Sequence, residues 1–165
     1  MSISLRAYTP ADIGDAVLIW NQVVEDGIAY PQLELLDEQT GAAFFASQSY
    51  TGLAVDENSG EAVGLYILHP NNVGRCGHIS NASFAVERGQ RGKKVGEALI
   101  RDCLDKAAGL GFRLMQFNAV VAANAPALHL YEKLGFIRLG TVPGGFLMKD
   151  GHYEDIVLFY HTLGS

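Results

Sequence analysis

The spacing of apolar positions changes several times along the chain, and each change marks an element. Residues 3–8, "ISLRAY", alternate as a half-buried strand does. From Pro10 to Glu25 the residues Ile13, Ala16, Val17, Trp20, Val23 and Val24 recur at helical spacing. Thr9 is placed to cap that helix, with Pro10 at its first position and Asp12 in its first turn. "DGIAYPQ" breaks the pattern, and a weaker helix covers about 37–47. "YTGLAVDENSGEAVGLYIL" reads as two strands around the polar turn "DENSGE". "HPNNVGRCG" is a loop, and "HISNASFAVE" is a strand with an unusual polar content. Residues 94–111 form a helix with Val95, Ala98, Leu99, Cys103 and Ala107 on one face, ended by Gly109 and Gly111. "FRLMQFNAV" is a strand, and "NAPALHLYEKLG" is a short helix with Asn124 as N-cap and Gly135 as C-cap. "FIRLGTV" and "YEDIVLFYHTL" are strands separated by "PGGFLMKDGH".

The resulting order is β-α-α-β-β-β-α-β-α-β-β. No repeat, linker or low-complexity tract divides it, so residues 1–165 read as one α/β domain. Residues 79–120 form a strand–loop–helix–strand unit, expected to be a right-handed crossover. It sets the loop "GQRGKKVG" at the C-terminal end of a strand and the N-terminal end of a helix, the rim where open α/β sheets bind ligands.

Charge narrows what that loop can hold. The formal net charge is −6, yet residues 86–101 carry Arg88, Arg91, Lys93, Lys94 and Arg101 against only Glu87 and Glu97. An acidic chain with one basic loop is a poor partner for nucleic acid, which needs a broad basic face, and a better one for a single small polyanion. No apolar run is long enough to span a membrane, and the start "MSISLRAYTP" has no apolar signal region, so a cytoplasmic protein with no membrane partner is expected. Cys76 and Cys103 lack scaffold or CxxC spacing and are read as reduced thiols. The histidines have no metal-ligand spacing, so no metal is expected.

A helix N-terminus offers unpaired N–H groups and partial positive charge to a phosphate, and Gly92 and Gly96 let the backbone come close. The P-loop pattern fails, because Lys94 stands five residues after Gly89 and no Gly-Lys-Ser/Thr follows. The dinucleotide pattern GxGxxG is absent as well. What "QRGKKVGEALI" does resemble is the acyl-CoA signature of the GCN5-related N-acetyltransferases, Q/R-x-x-G-x-G/A. Arg91 takes the first position and Gly96 the last, with Lys94 at the middle glycine. "NAPALHLYEKLGF" is similar to a second family block, N-x-x-A-x-x-L-Y-x-K-x-G-F. With the matching element order, the resemblance covers nearly the whole chain.

The resemblance implies the family fold: a mixed, mostly antiparallel sheet with a splayed central strand pair, flanked by about four helices. It implies acetyl-CoA as co-substrate. The pyrophosphate would rest on the loop Arg91, Gly92, Lys93, Lys94, Val95 and Gly96. The pantetheine arm would pair like a strand with Phe84, Ala85 and Val86, and Asn124 and Ala127 would lie beside it. Lys94 is compatible with an amide-lined site if its φ is negative; a position demanding positive φ would penalise it by about 1–2 kcal/mol. Tyr131, one helical turn after Ala127, would be the acid that protonates the departing sulfur. His78 and Glu87, at the two ends of the central strand, are the candidates for a base. Without a nucleophile elbow or Cys-His signature, direct transfer is the simpler chemistry.

Asn81 and Asn118 are conspicuous because asparagine is depleted in strands and buried amides need partners. They read either as a mutually satisfied pair bridging the splayed strands or as lining of the acceptor pocket. "PNNVGRCGHISNASFAV" and "QFNAVVAANAPA" resemble fungal N-acetyltransferases acting on azetidine-2-carboxylate. "IWNQVVEDGIAYP" resembles phosphinothricin-type acetyltransferases. Together these imply a small amine or imine bearing a carboxylate, met by Asn81, by the backbone at Asn118 and Ala119, and by the loop carrying Tyr30, with His78 nearby. Alternatives are a protein or peptide N-acetyltransferase, or an acyl-CoA-binding regulatory module without turnover. Homodimers are frequent in the family, which is the sequence's one ground for an assembly.

Overall fold

The computed structural model describes residues 2–92 and 94–164. Seven strands form one sheet: β1 (Ile3–Ala7), β2 (Tyr50–Asp56), β3 (Ala62–Pro70), β4 (Ile79–Val86), β5 (Leu114–Val121), β6 (Ile137–Leu147) and β7 (Tyr153–Thr162). Their spatial order is β1-β2-β3-β4-β5-β7-β6. All neighbours are antiparallel except β4 and β5. Helices α1 (Ile13–Asp26), α2 (Glu38–Ala46), α3 (Val95–Gly109) and α4 (Ala125–Lys133) cover the sheet.

The two-residue alternation of the strands divides the core into two layers. Leu53, Leu65, Ile67 and Ala85 pack with Ala16, Ile19, Trp20 and Val23 of α1. Ala54, Tyr66, Leu68 and Ala82 pack with Val95, Leu99, Ile100 and Cys103 of α3. Helix α4 adds Leu128, Leu130 and Tyr131 to this second layer. The predicted α3 face is therefore right in kind, although Ile100 is buried where Ala98 was expected.

Three boundaries differ from the sequence reading. Residues Pro10–Asp12 form a 3-10 turn ahead of α1, and Asp12 turns its carboxylate back to the Thr9 amide at 2.8 Å and to Arg6. His69 and Pro70 belong to β3. Residues 143–147, read as part of a connection, continue β6 with a register shift between Val142 and Phe146. Pro143 is tolerable there because β6 is an edge strand, whose unpaired side needs no N–H.

The feature that makes the site is the short pairing of β4 with β5. Only Ile79–Leu114 and Ser80–Met115 are partners. Beyond them β5 carries a bulge: its register with β7 shifts between Phe117 and Val120, leaving Asn118 and Ala119 opposite one residue. A bulge bends its strand and re-aims side chains. The expected splayed pair is thus present, and it opens toward the N-terminus of α3.

Candidate active site

Two adjoining cavities fill the split. The first, of about 370 Å³, lies between the bulge of β5, the polar face of β4, the loop after α1 and helix α4. The second, of about 690 Å³, runs from there to the start of α3. They share Ala29, Phe84, Gly96, Asn124, Ala127 and Leu130.

The larger cavity has a helix start and basic side chains of the kind that suit an anionic ligand. The first-turn amides of α3 have no acceptor within the helix. Val95, Gly96 and Glu97 of that turn line the cleft with Arg91, Gly92 and Lys94. Gly96 sits where a β-carbon would reach only Leu130 Cδ2 at 3.7 Å and Val86 Cγ2 at 3.9 Å, so the helix start stays open. Asn124 caps α4, its Oδ1 accepting from the Ala127 amide at 3.3 Å. The side chain of Ala85 packs into the α1 layer, so only its backbone is available to a ligand. Lys93, expected in this loop, lies outside the described residues.

Of the two cases the sequence left open for Lys94, the structure has the penalised one. Lys94 is the N-cap of α3, at φ 65° and ψ 15°. Among the described residues it is the one non-glycine residue with positive φ. An L-residue in the left-handed region costs about 1–2 kcal/mol, so this lysine is strained.

Arg91 and Arg88 both bind Asp26 at the end of α1, at 2.9 and 2.8 Å. The Arg88 amide also donates to Gln22 Oε1 at 2.9 Å. Burial would raise the Asp26 pKa, but the hydrogen bonds from Arg91 and Arg88 outweigh it and hold the carboxyl below its ordinary range. The loop is therefore tied to α1. Sequence reasoning passed over Asp26; its signal was an acid at a helix C-terminus, where the dipole disfavours it. On the opposite wall Lys133 Nζ meets Glu97 Oε1 at 2.7 Å.

The smaller cavity differs in kind. Its described lining holds no carboxylate, imidazole, ammonium or guanidinium; its polar groups are Asn81, Ser83, Asn118, Asn124 and the phenols of Tyr30 and Tyr131. Asn81 and Asn118 do not bond each other. Both donate to Asn71 Oδ1, at 3.2 and 2.6 Å. Asn118 accepts in turn from Gln116 Nε2 at 3.0 Å, and Asn81 from the Ala82 amide at 2.8 Å. Asn71 was missed because a loop asparagine carries no periodic signal. Ala119 lines the cavity beside Asn118 on the bulge.

Tyr131 stands between aromatic rings, 4.6 Å from Phe117 and 5.6 Å from Phe136. Burial, with a smaller contribution from nearby Cys103, pushes its hydroxyl well above the ordinary phenol range. It therefore stays protonated and able to donate. Tyr30 is 8% exposed, its ring centroid 4.6 Å from that of Trp20. Its hydroxyl is buried with no hydrogen-bond partner among the described residues. Such a group costs about 1–3 kcal/mol, a cost a ligand can remove.

Neither expected base reaches this cavity. His78 sits at the closed end of the strand pair, its carbonyl accepting from the Arg113 amide at 2.9 Å. Its side chain lines a separate depression with Ala108, Gly111 and Thr162. Glu87 bends onto its own turn, accepting from the Gly89 amide at 2.9 Å. The structure thus brings Tyr30, Asn81, Asn118, Ala119, Asn124, Ala127 and Tyr131 together and leaves His78 and Glu87 out.

Comparison with known proteins agrees with this geometry. The model of the acetyltransferase (GNAT) family matches residues 20–136. N-acetyltransferase aca1 of Schizosaccharomyces pombe is 34% identical over 101 residues, which is 60% of this chain; the chain spans about half, 48%, of that relative. The L-methionine sulfoximine/L-methionine sulfone acetyltransferase of Pseudomonas aeruginosa is 28% identical over 87% of this chain and 85% of its own. A GCN5-related N-acetyltransferase from Kribbella flavida superposes with a TM-score of 0.89 at 32% identity, covering 98% of both chains. The splayed sheet, the amide-lined helix start and the matched sequence agree: this chain belongs to the acetyltransferase (GNAT) family.

Proposed function

We propose that the enzyme moves the acetyl group of acetyl-CoA directly onto the neutral nitrogen of a small amino-acid-like amine or imine that carries a carboxylate. The larger cleft fits the donor. Backbone amides of Lys94–Gly96 and the Arg91 guanidinium would hold its pyrophosphate, and the freed edge of β4 at Phe84–Val86 would take the pantetheine arm. When bound, this co-substrate supplies an activated acetyl carbon and a thiolate leaving group. A thiolate is a fair leaving group, the cysteine thiol titrating near about 8.5, so Tyr131 needs only to stand near the sulfur and donate.

The observation that carries the acceptor reading is the uncharged 370 Å³ cavity at the bulge. It is lined on one side by Tyr30 and Pro31, and its volume suits a small acceptor better than a peptide. Amide donors from the bulge at Asn118–Ala119 and from Asn81 suit a carboxylate. The relative from Pseudomonas aeruginosa is named for amino-acid derivatives, which supports the same class. Release of free thiol from acetyl-CoA over a panel of amines tests it. Turnover is expected with small amino acids and cyclic imino acids. Turnover of a basic peptide with none of these would overturn the substrate class.

A further inference from the structure

The two central strands stop pairing after Ser80 and Met115. Beyond that point a side chain bridges the split, and it belongs to Asn71. The Asn71 backbone amide donates to the Ile79 carbonyl at 2.7 Å, which fixes the start of the loop after β3 against β4. Its Oδ1 accepts from Asn81 Nδ2 on β4 at 3.2 Å and from Asn118 Nδ2 on the β5 bulge at 2.6 Å. Asn81 and Asn118 line the acceptor cavity; Asn71 is not part of its described lining.

This chain of bonds has a direction, and one backbone group sets it. The Ala82 amide can only donate, so the Asn81 atom it meets at 2.8 Å is the oxygen. Asn81 must then turn its NH2 toward Asn71, and the Asn71 atom that receives it must be Oδ1. That oxygen obliges Asn118 to face it with NH2, which leaves Asn118 Oδ1 to accept from Gln116 Nε2 at 3.0 Å. Both lone pairs of Asn71 Oδ1 are thereby engaged. Each of the two NH2 groups keeps a second hydrogen, for which no acceptor occurs among the described residues. Two amides joined directly would set one NH2 against one oxygen. Joined through a third oxygen, both turn the same way.

We propose that Asn71 is a specificity-determining positioning residue: it turns the amides of Asn81 and Asn118 so that both offer N–H to the acceptor molecule, which selects a carboxylate over a carboxamide. The proposal rests on the substrate reading above and deepens it. A carboxylate accepts at both oxygens, and its charge strengthens each bond. A carboxamide brings an NH2 of its own; set against a directed donor, it leaves both groups unpaired. Asn71 itself need not touch the substrate. It acts by holding two other side chains, from a loop that the strands β4 and β5 do not include.

Asn71→Leu keeps the bulk and removes the shared oxygen. It frees the Asn118 amide to turn over together with Gln116, and it takes the acceptor from the Asn81 NH2. Thiol release is measured for L-proline with L-prolinamide and for L-alanine with L-alaninamide. Wild type should favour the carboxylate of each pair. In the variant the carboxylate-to-carboxamide ratio of kcat/KM should fall about tenfold, the worth of one hydrogen bond to a charged group. The loss should lie in the KM of the carboxylate, with kcat little changed. Comparing the ratio between variant and wild type cancels the different basicity of the two amines. An equal fall for both members of a pair would overturn the proposal while the substrate class stands. A wild type without preference for the carboxylate, or without turnover of any carboxylate-bearing amine, would overturn the substrate class and the proposal with it. A second readout needs no variant. In nitrogen-15-labelled wild-type protein, L-proline at a concentration that saturates turnover should move the side-chain NH2 resonances of both Asn81 and Asn118. L-prolinamide at the same concentration should move them less. Resonances that L-proline leaves in place, or that both compounds move equally, would overturn the donor assignment.

Discussion

The two cavities meet at Phe84, Gly96 and Asn124, yet their linings differ in charge. The cleft proposed for the coenzyme is lined by charges, several of them held by a partner: Arg91 by Asp26 and Lys133 by Glu97. The acceptor cavity has phenols, amides and a hydroxyl, and no charged side chain among its described lining. The difference follows from what each must do. A pyrophosphate keeps its charge throughout, so fixed amides and cations suit it. A nitrogen nucleophile must be neutral to attack, and a carboxylate wall beside it would favour the unreactive ammonium.

The sharpest way to break this contrast is at Tyr131. Tyr131→Phe should lower kcat by about 100-fold or more, while calorimetric acetyl-CoA affinity changes little, because in the proposed mechanism the hydroxyl serves the sulfur and not the phosphates. Equal turnover by the variant would remove the acid from the cavity. Asn71→Ala comes next. It leaves the amides of Asn81 and Asn118 without their shared acceptor. One lost hydrogen bond of about 1–1.5 kcal/mol corresponds to an acceptor KM raised roughly tenfold in steady-state kinetics, with coenzyme affinity unchanged. An unaffected acceptor KM would place the cluster outside substrate recognition.

On the coenzyme side the effects are smaller. Lys94→Gly removes the left-handed strain, and urea unfolding should show a gain of about 1 kcal/mol. Acetyl-CoA affinity should fall slightly and more at low salt, as expected if the ammonium adds charge at the phosphate. A loss of stability would mean that the strain is offset by contacts glycine cannot make. Asp26 gives the mildest effect, visible with pH. Its folded pKa is depressed, so its contribution is present above the unfolded value of about 3.9 and is lost as pH falls through the lower folded value. Amide exchange at residues 88–92 should quicken below about pH 4 relative to neutral protein, after correction for intrinsic rates, and Asp26→Asn should remove that dependence.

Much of the frame was legible because it repeats. The faces of α1 and α3 and the alternation of β2 and β3 follow from one period each. Asn124 and Tyr131 were legible through a dense motif on one short helix. Other features depend on long-range geometry, which leaves no periodic trace. The bulge at Asn118–Ala119 depends on the partner strand β7. Asn71 joins the site only because a loop after β3 folds over both central strands. The two candidate bases lie outside the cavity's described lining for a related reason. His78 was read as the first residue of the central strand; it lies in the turn just before β4, at the end where β4 and β5 are paired and away from the split. Lys94 stood out in the sequence because it replaces the motif's middle glycine, but the sign of its φ, on which its cost depends, came only from the structure.

The central claim is that a coenzyme lies along the split strands with its thioester at Tyr131. A crystal structure of the acetyl-CoA complex tests it most directly. The account predicts the pyrophosphate on the amides of Lys94–Gly96, the pantetheine arm along Phe84–Val86, and the thioester sulfur within hydrogen-bond distance of the Tyr131 hydroxyl. A coenzyme bound elsewhere, or one whose sulfur lies beyond the reach of Tyr131, would contradict it.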